Sequence, residues 1–308
     1  MARSLTLGTA QLGIDGYGIA NRVGHLNDDS VFELLDCAIR NDVRAIDCAR
    51  AYGEAEARVG RNLERLSLGD VCLITKLSPL ASLPEEASDQ AVIDAVDASV
   101  YRSCYELGLR TLPVLMLHRW QHYQSHQGRI WQRLVELQQK GVIRELGASV
   151  YRPEEAAAAL AEPLVRHVQV PVNLLDKRWF ELDIPGMANS RTDCTIYARS
   201  IYLQGLLVNA ADCWPQISGV NSAEICALLD TLVADFSRES RADLCMAYIL
   251  GQNWIDSIVV GVETKEQLEQ NFQMARYQPL TLEQQQQLAA RIPHLPVELL
   301  DPSQWRKN

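Results

Sequence analysis

Four residues with acid–base side chains stand at the ends of successive short apolar runs. Asp47 ends the second such run, and Tyr52 follows it five residues later. Lys76 comes directly after the third run, and His118 comes directly after the fourth. If these runs are neighbouring parallel strands, their carboxyl ends lie on one rim, which is where closed α/β barrels carry their active sites. We therefore expect the four side chains to converge.

These residue types suit the reduction of a carbonyl group. Delivery of hydride to a carbonyl carbon requires a proton for the developing alkoxide. A phenol has a pKa of about 10, and a neighbouring ammonium stabilises the phenolate, so we expect Lys76 to lower the pKa of Tyr52. Asp47 would keep Lys76 charged and fixed, and His118 would orient the substrate carbonyl. Tyr52 is therefore the predicted proton donor.

Each of the four residues also has a simpler interpretation. Asp47 alone suits a loop cap, and Tyr52 alone suits a half-buried packing position. Lys76 at a strand end is usually solvated, and a single histidine such as His118 is more often structural than catalytic. Their order along three consecutive strands favours one shared site over four unrelated roles.

The elements that must position these residues alternate along the chain. Eight short apolar runs are typical of parallel strands that are buried on both faces. The strands are predicted at Ser4–Leu7, Arg44–Asp47, Val71–Thr75, Val114–Leu117, Glu145–Ala148, His167–Val170, Thr195–Ala198 and Ser257–Val260. Longer stretches with helical spacing of apolar residues lie between and after them. The helices are predicted at Ser30–Asn41, Ala55–Leu66, Asp89–Leu107, Ile130–Lys140, Pro153–Leu160, Ser222–Phe236, Ala242–Leu250, Lys265–Met274 and Leu282–Ile292.

The order of these elements favours a closed barrel over an open sheet. Repeated strand–helix units without a break in composition are typical of a (β/α)8 (TIM) barrel with an eight-stranded parallel sheet. An open dinucleotide-binding sheet would carry a Gly-x-Gly-x-x-Gly turn after its first strand. Residues 8–13 read Gly-Thr-Ala-Gln-Leu-Gly instead. We therefore predict the α/β class, with residues 1–308 forming a single barrel domain.

Charge and hydropathy exclude several kinds of partner. The 308 residues carry a formal net charge of −10, and an acidic surface repels phosphate backbones, so no nucleic-acid partner is expected. No apolar run reaches the roughly 18 residues of a membrane span, and the first residues lack a signal-peptide core. We therefore expect no membrane partner and a cytoplasmic location. The eight cysteines contain no Cys-x-x-Cys pair, which predicts buried reduced thiols and no metal site.

The set Asp47, Tyr52, Lys76 and His118 resembles the catalytic tetrad of the aldo-keto reductases. Ordered motifs extend this likeness over residues 4 to 275. They read LTLGTAQLG, AIDCARAYGEAEARVGRNL, LITKL, VLMLHRW, IRELGASVY, VQVPVNLLD, ARSIYLQGLL and VVGVETKEQLEQNF. The resemblance implies an enzyme that reduces a small aldehyde or ketone with NAD(P)H. It also implies that this nicotinamide dinucleotide binds across the barrel mouth, without a Rossmann domain.

The resemblance further implies which residues hold the nicotinamide end of the cofactor. Ser149 and Gln169 fall where the family binds the carboxamide group, and Asp47 lies beside the cofactor in such enzymes. Arg199 and Ser200 directly follow the seventh predicted strand and are assigned to the same site.

The remaining cofactor residues are expected at two glycine-containing segments. The resemblance implies that the turn Leu203–Leu206 and the segment Gly261–Thr264 hold the pyrophosphate and the adenosine phosphate. Gly205 and Gly261 agree with this role, because glycine permits a close backbone approach. A helix that begins after this segment points free N–H groups at an anion. Gln267 and Asn271, four residues apart on that helix, would touch the adenosine, although an ordinary helix surface explains their spacing equally well.

Three positions depart from the family pattern. Val150 stands where an Asn often follows the carboxamide-binding Ser, and Arg199 stands where a ring-stacking aromatic is common. Glu263 stands where a small hydroxyl residue often meets the 2′-phosphate of NADP, and a carboxylate repels that phosphate. Lys265 is close enough in sequence to compensate. Family habit thus favours NADP(H) and local charge favours NAD(H), and NADP(H) is the sequence-based expectation.

The opening segment GTAQLGIDGYGIAN resembles a bacterial branch associated with sugar and surface-polysaccharide pathways. This likeness implies a polyhydroxylated or sugar-like carbonyl substrate. Aromatic side chains on predicted rim loops would suit a sugar face: Trp120, His122, Tyr123, Trp179 and Trp214. For His122 and Tyr123, packing within the loop is the preferred interpretation.

Two other classes of function stay open on the sequence. One is a lyase, epimerase or dehydratase on the same barrel, in which Tyr52 and Lys76 move protons and the cofactor is absent or recycled. The other is a non-catalytic binding subunit. The intact tetrad disfavours the binding subunit, whereas the altered positions Val150, Arg199 and Glu263 keep the first alternative open.

Overall fold

The eight strands close into a parallel barrel, which confirms the predicted fold class. The computed structural model describes residues 4–18, 26–66 and 69–305, so the chain termini and the end of the opening motif lie outside the described residues. Each strand pairs in parallel with its neighbours in chain order, and β8 pairs with β1 to close the ring. The strands are β1 (Ser4–Gly8), β2 (Ala45–Asp47), β3 (Cys72–Lys76), β4 (Leu112–Leu117), β5 (Ile143–Ser149), β6 (Val165–Pro171), β7 (Thr195–Arg199) and β8 (Ser257–Gly261).

Helices occupy the connections between strands and follow the last strand. They are α1 (Ala10–Gly13), α2 (Asp28–Arg40), α3 (Ala55–Leu63), α4 (Asp89–Leu107), α5 (Arg129–Gln139), α6 (Pro153–Ala161), α7 (Arg178–Glu181), α8 (Ile184–Ser190), α9 (Ser222–Asp235), α10 (Arg241–Leu250), α11 (Lys265–Met274), α12 (Leu282–Arg291) and α13 (Val297–Leu300). The predicted helices are all present, with ends that differ by a few residues. The short helices α1, α7, α8 and α13 were not predicted, because one or two turns are too short to show a helical period.

Local capping explains where several helices begin. Asn27 caps α2, Ser88 caps α4 and Thr264 caps α11. In each case the side-chain oxygen accepts a hydrogen bond from the backbone N–H three residues later, which satisfies a donor that the helix leaves free. The cap at Thr264 matters for function, because it fixes the start of α11 directly after the end of β8.

Strand ends fall slightly later than predicted, and this places site residues on the rim. β3 ends at Lys76, β5 at Ser149, β7 at Arg199 and β8 at Gly261. The apolar pattern predicts an earlier end for each of these strands, because their last residues are polar or glycine. Since every strand points the same way, the last residue of each lies at the carboxyl end of the barrel.

The cysteines follow the sequence prediction, with one exposed exception. All eight cysteines are thiols, but Cys213 is exposed on a short 3₁₀ turn instead of being buried. Among the helices described, none is both long and apolar enough to cross a bilayer. Within the same ranges, no three His, Cys, Asp or Glu side chains are grouped so as to hold a metal ion.

Candidate active site

The carboxyl ends of β2, β3 and β4 bring the four acid–base residues together. Lys76 Nζ donates to both carboxylate oxygens of Asp47, at 2.7 Å each, and lies 3.4 Å from the hydroxyl oxygen of Tyr52. The ring of His118 meets the ring of Tyr52 edge-on, with 5.8 Å between the ring centroids. The four side chains therefore share one site.

The Asp47–Lys76 ion pair lies beneath this site, almost fully shielded from water. Asp47 is 3% exposed and Lys76 is 1% exposed. Buried charges are tolerated when they are paired and hydrogen-bonded, and here Lys76 Nζ also donates to the carbonyl oxygen of Cys48 at 3.0 Å. Gln169 Nε2 donates to Asp47 at 2.6 Å. This network fixes the ammonium group next to the phenol.

Two glycines hold the turn that carries Tyr52 against α1. Gly53 has a φ of +54°, in the left-handed region that favours glycine. A Cβ on Gly53 would overlap the carbonyl oxygen of Gly13, and a Cβ on Gly13 would overlap the carbonyl oxygen of Tyr52. Glycine is therefore required at both positions, and their contact sets the height of Tyr52 above the barrel.

Burial dominates the pKa of Tyr52. Loss of solvation raises this pKa above its ordinary value, Asp47 raises it further, and Arg199 partly opposes both effects. The expectation that Lys76 lowers the pKa of Tyr52 is wrong in its net direction. Loss of solvation and the Asp47 carboxylate together outweigh the effect of the ammonium group, although Lys76 Nζ lies 3.4 Å from the hydroxyl oxygen. Tyr52 is consequently held as a neutral phenol, the form in which it can donate a proton.

His118 is also held neutral. Burial lowers the pKa of His118 to about 3, and the positive charges of Lys76, Arg199 and Arg119 act in the same direction. Its Nδ1 atom is buried without a hydrogen-bond partner. A neutral imidazole offers one N–H donor and one acceptor nitrogen, so His118 can donate a hydrogen bond without carrying charge.

A cleft of about 520 Å³ opens at this rim, and its wall includes Asp47, Tyr52 and His118. Most of the predicted cofactor residues also line it: Ser149, Arg199, Ser200, Gly205, Gly261, Glu263, Gln267 and Asn271. Gln169 and Leu203 do not, because both are fully buried. Gln169 stands behind Asp47, to which it is hydrogen-bonded.

The sequence matches the model of the aldo/keto reductase family over residues 4–292, which is nearly the whole chain. The chain belongs to the aldo/keto reductase family. It is therefore an NAD(P)H-dependent oxidoreductase of carbonyl compounds.

Solved bacterial structures share the fold of this aldo/keto reductase. The holo form of the aldo-keto reductase AKR11C1 from Bacillus halodurans superposes with a TM-score of 0.72 at 20% identity, covering 95% of this chain and 93% of that one. The glycerol dehydrogenase AKR11B4 from Gluconobacter oxydans superposes with a TM-score of 0.68 at 19% identity, covering 97% and 94% of the two chains. At this identity the likeness concerns the fold alone.

The two residues predicted to bind the carboxamide, Ser149 and Gln169, pair with each other near the ends of β5 and β6. Gln169 Oε1 is buried and has no hydrogen-bond partner, because its amide nitrogen is turned to Asp47. A buried acceptor left unpaired costs free energy until a donor reaches it. The amide N–H₂ of a nicotinamide is such a donor, but Gln169 is buried behind the cleft wall, so the carboxamide would reach Oε1 only after a side-chain movement. Ser149, its neighbour on β5, lines the cleft directly. These residues fit a nicotinamide cofactor.

In the turn predicted to hold phosphate groups, the backbone N–H groups of Leu203 and Gly205 already donate hydrogen bonds. Leu203 is fully buried, and its N–H donates to the carbonyl oxygen of Ser200 at 2.8 Å. Gly205 N–H donates to the carbonyl oxygen of Tyr202 at 3.0 Å. Both donors therefore hold the turn itself, and a phosphate contact would have to share them.

Side chains at the start of α11 are arranged around Glu263. Glu263 is 7% exposed and lines the cleft, and its backbone N–H donates to Gln267 Oε1 at 2.8 Å. Asn271 donates through Nδ2 to the carbonyl oxygen of Gln267 and accepts at Oδ1 from the hydroxyl of Tyr202. Lys265 points elsewhere, since its Nζ lies 3.7 Å from Glu269 and it does not line the cleft.

The aromatic wall of the cleft differs from the sequence prediction. The five rim aromatics proposed for it are absent from the wall; Trp179 and Trp214 are buried, and Trp120 stacks on Tyr123 at 4.5 Å. Tyr17 and Tyr151 line the cleft instead. Tyr17 follows α1 and Tyr151 follows β5 by two residues, and the sequence does not specify the path of either loop.

Proposed function

We propose that this reductase converts a small polar aldehyde or ketone to an alcohol, with Tyr52 as the proton donor. The observation that carries the proposal is the position of Lys76 Nζ, 3.4 Å from the Tyr52 hydroxyl while ion-paired with Asp47 at 2.7 Å. A phenol at the wall of the cleft can give up its proton only if the resulting phenolate is stabilised. A fixed ammonium group beside it supplies that stabilisation.

The proposed chemistry divides between the cofactor and three side chains. Bound NAD(P)H supplies the hydride that adds to the carbonyl carbon. Tyr52 transfers its hydroxyl proton to the carbonyl oxygen, which becomes the alcohol. Lys76 stabilises the phenolate that remains, and neutral His118 donates a hydrogen bond that orients the carbonyl. Asp47 keeps Lys76 charged throughout, so Tyr52 can regain a proton from solvent after product release.

Replacement of Tyr52 by Phe tests this assignment. Tyr52→Phe should lower kcat by about 10²-fold or more, since that is the usual contribution of a positioned acid. The affinity for the cofactor, followed by quenching of tryptophan fluorescence, should remain nearly unchanged. Tyr123→Phe is the matched control, because it removes a phenol that is bonded to Glu162 outside the cleft. Retained turnover in Tyr52→Phe would rule out the proposed donor.

We propose a polyhydroxylated or sugar-like substrate. The entrance beside Tyr52 is lined by Tyr17 and Tyr151, whose rings offer flat faces with polar ends. The Gluconobacter oxydans protein of the same fold is a glycerol dehydrogenase, and glycerol is a polyol, which supports the same substrate class. A comparison of kcat/KM for hydroxylated and unsubstituted aldehydes of equal length tests this choice, and a preference for the unsubstituted series would contradict it.

For the cofactor, family resemblance favours NADP(H), whereas the described side chains favour NAD(H). We give the side chains more weight. Glu263 lines the cleft, and a carboxylate at this position would repel a 2′-phosphate and accept hydrogen bonds from a ribose diol. Lys265, the candidate for compensation, is turned to Glu269. We therefore propose NAD(H) as the preferred cofactor.

Glu263→Ser tests the choice of cofactor. Loss of the carboxylate should raise the affinity for NADPH relative to NADH by about tenfold, as removal of a close like charge predicts. Glu266→Ser removes the same charge from the exposed first turn of α11 and should change the ratio less, because solvent screens it. A ratio that Glu263→Ser leaves unchanged would show that this carboxylate does not face the ribose.

The two other classes of function predict a different binding result. A lyase or epimerase without a stable cofactor, or a non-catalytic binding subunit, would show no fluorescence quenching by NADH or NADPH up to millimolar concentrations.

We also propose that residues 1–308 act as a single domain. The cytoplasmic location stays a prediction from the sequence.

A further inference from the structure

Arg199 places a positive charge in the cleft that no described carboxylate neutralises. Its guanidinium donates to the carbonyl oxygen of Val150 at 3.0 Å and approaches the hydroxyl of Ser200 at 3.4 Å. It also lies over the ring of Tyr151, 4.5 Å from the centroid. Its Nε atom is buried without a hydrogen-bond partner. All these contacts are with neutral groups, so the charge of Arg199 remains uncompensated.

The other ionisable groups around the reacting centre contribute no net charge. Asp47 and Lys76 form one ion pair and cancel each other. Burial keeps the imidazole of His118 neutral and the phenol of Tyr52 protonated. Among the described lysines and arginines, Arg199 is the one that lines the cleft, whereas Glu263 lines it next to the start of α11.

This charge lies close to the place where hydride transfer must occur. Arg199 lines the same cleft as Tyr17, Tyr52 and His118. A hydride donor has to approach the carbonyl carbon within about 3 to 3.5 Å, and the carbonyl oxygen has to reach Tyr52. The nicotinamide ring therefore has to enter the cleft that Arg199 lines.

We propose that Arg199 biases the bound nicotinamide couple toward its reduced form, so that the protein binds NAD(P)H more tightly than NAD(P)⁺. The oxidised ring carries a positive charge and the reduced ring is neutral. A fixed cation nearby therefore repels the oxidised ring and leaves the reduced ring unaffected. This inference rests on the proposed cofactor use, and it favours carbonyl reduction over alcohol oxidation.

Equilibrium binding provides the test, independently of turnover. Dissociation constants for NADH, NAD⁺, NADPH and NADP⁺ are measured by tryptophan fluorescence quenching and calorimetry. In the unmodified protein the oxidised member of the preferred pair should bind at least about tenfold more weakly than the reduced member, as expected for like charges in a partly shielded site. Arg199→Gln should reduce this ratio by about tenfold, mainly through tighter binding of the oxidised form.

Two further variants separate charge from structure. Arg199→Lys keeps the charge and should keep the ratio. Arg152→Gln removes a cation that is 61% exposed and paired with Glu155 at 3.2 Å, and it should also keep the ratio.

Equal binding of both oxidation states by the unmodified protein would overturn the proposal, whether or not Arg199→Gln folds. So would a ratio in Arg199→Gln within about twofold of the original value, since a nearby charge cannot act so weakly. Absence of binding by all four nucleotides would instead remove the proposed cofactor use itself.

Discussion

Burial has a larger effect than nearby charges on the protonation states of Tyr52 and His118. Tyr52 and His118 are both pushed toward their neutral forms by loss of solvation. Asp47 and Lys76 are charged instead, and each provides the counter-charge of the other at 2.7 Å. The site thus combines a neutral acid with a fixed ion pair, which suits proton donation to a developing alkoxide.

Acid should destabilise the protein partly through His118. The pKa of His118 is about 3 in the folded chain and about 6.5 in an unfolded chain. Between these pH values the imidazole binds a proton in the unfolded state but not in the native state. The free energy of unfolding therefore decreases as the pH falls from about 6.5 toward 3. The slope cannot exceed about 1.4 kcal/mol per pH unit for this one group.

His118→Gln should therefore lose less stability between pH 7.5 and pH 4.5 than the unmodified protein, by about 2 kcal/mol. Urea denaturation at the two pH values measures the difference. His294→Gln, which removes an exposed imidazole, should follow the unmodified protein more closely. A His118→Gln variant that loses as much stability as the unmodified protein would contradict the lowered pKa.

At the scale of elements, the contact between α1 and the turn after β2 sets the position of the proposed proton donor. The backbone of Gly53 touches the backbone of Gly13 with no room for a side chain on either residue. A shift of about 1 Å in a catalytic group can cost a large factor in rate. Glycine at these two places is therefore a requirement of the site as well as of the fold.

Gly53→Ala should lower kcat by about tenfold and stability by about 2 kcal/mol beyond the cost of a left-handed alanine. Gly69→Ala is the matched control. Gly69 has the same φ of +54°, but nothing lies within 4 Å of a Cβ built on it. Steady-state kinetics and urea denaturation of both variants separate backbone strain from overlap with Gly13. Equal effects in the two variants would show that the overlap is relieved without moving Tyr52.

The sequence predicts the strands well because the burial of each strand in the barrel leaves a matching run of apolar residues in the sequence. All eight strands were located because parallel barrel strands are buried on both faces and appear as continuous apolar runs. Boundaries shifted by one or two residues, so that Lys76 and Arg199 end their strands. The short helix α8 is not predicted because seven residues are too few to show a helical period, although Asp183 caps it and a proline lies in its first turn.

At the scale of the whole molecule, closure of the barrel buries most of the thiols. Burial raises the pKa of Cys48 to about 12 and those of Cys72 and Cys194 to about 11, so these thiolates are scarce near neutral pH. Cys213 differs because it lies exposed on the loop between β7 and α9.

Thiol labelling should therefore report on the packing of the closed barrel. A disulfide reagent at pH 8 should modify a single thiol rapidly in the native protein and all eight in strong denaturant. Cys213→Ser should abolish the rapid phase, whereas Cys104→Ser, at a half-buried position, should leave it intact. Several rapid thiols in the native protein would show that the packing is looser than the structure indicates.

The sequence alone determined the class of fold, the family and the identity of the four acid–base residues. The spacing of apolar residues and the order of the motifs can both be seen in the amino-acid sequence without a three-dimensional structure. Only the tertiary structure decided the direction of the pKa shift of Tyr52, the partner of Lys265, the unpaired charge of Arg199 and the tyrosines of the cleft wall. The physical reason is that burial, ion pairing and loop paths depend on residues far apart in the chain, which meet only when the barrel closes.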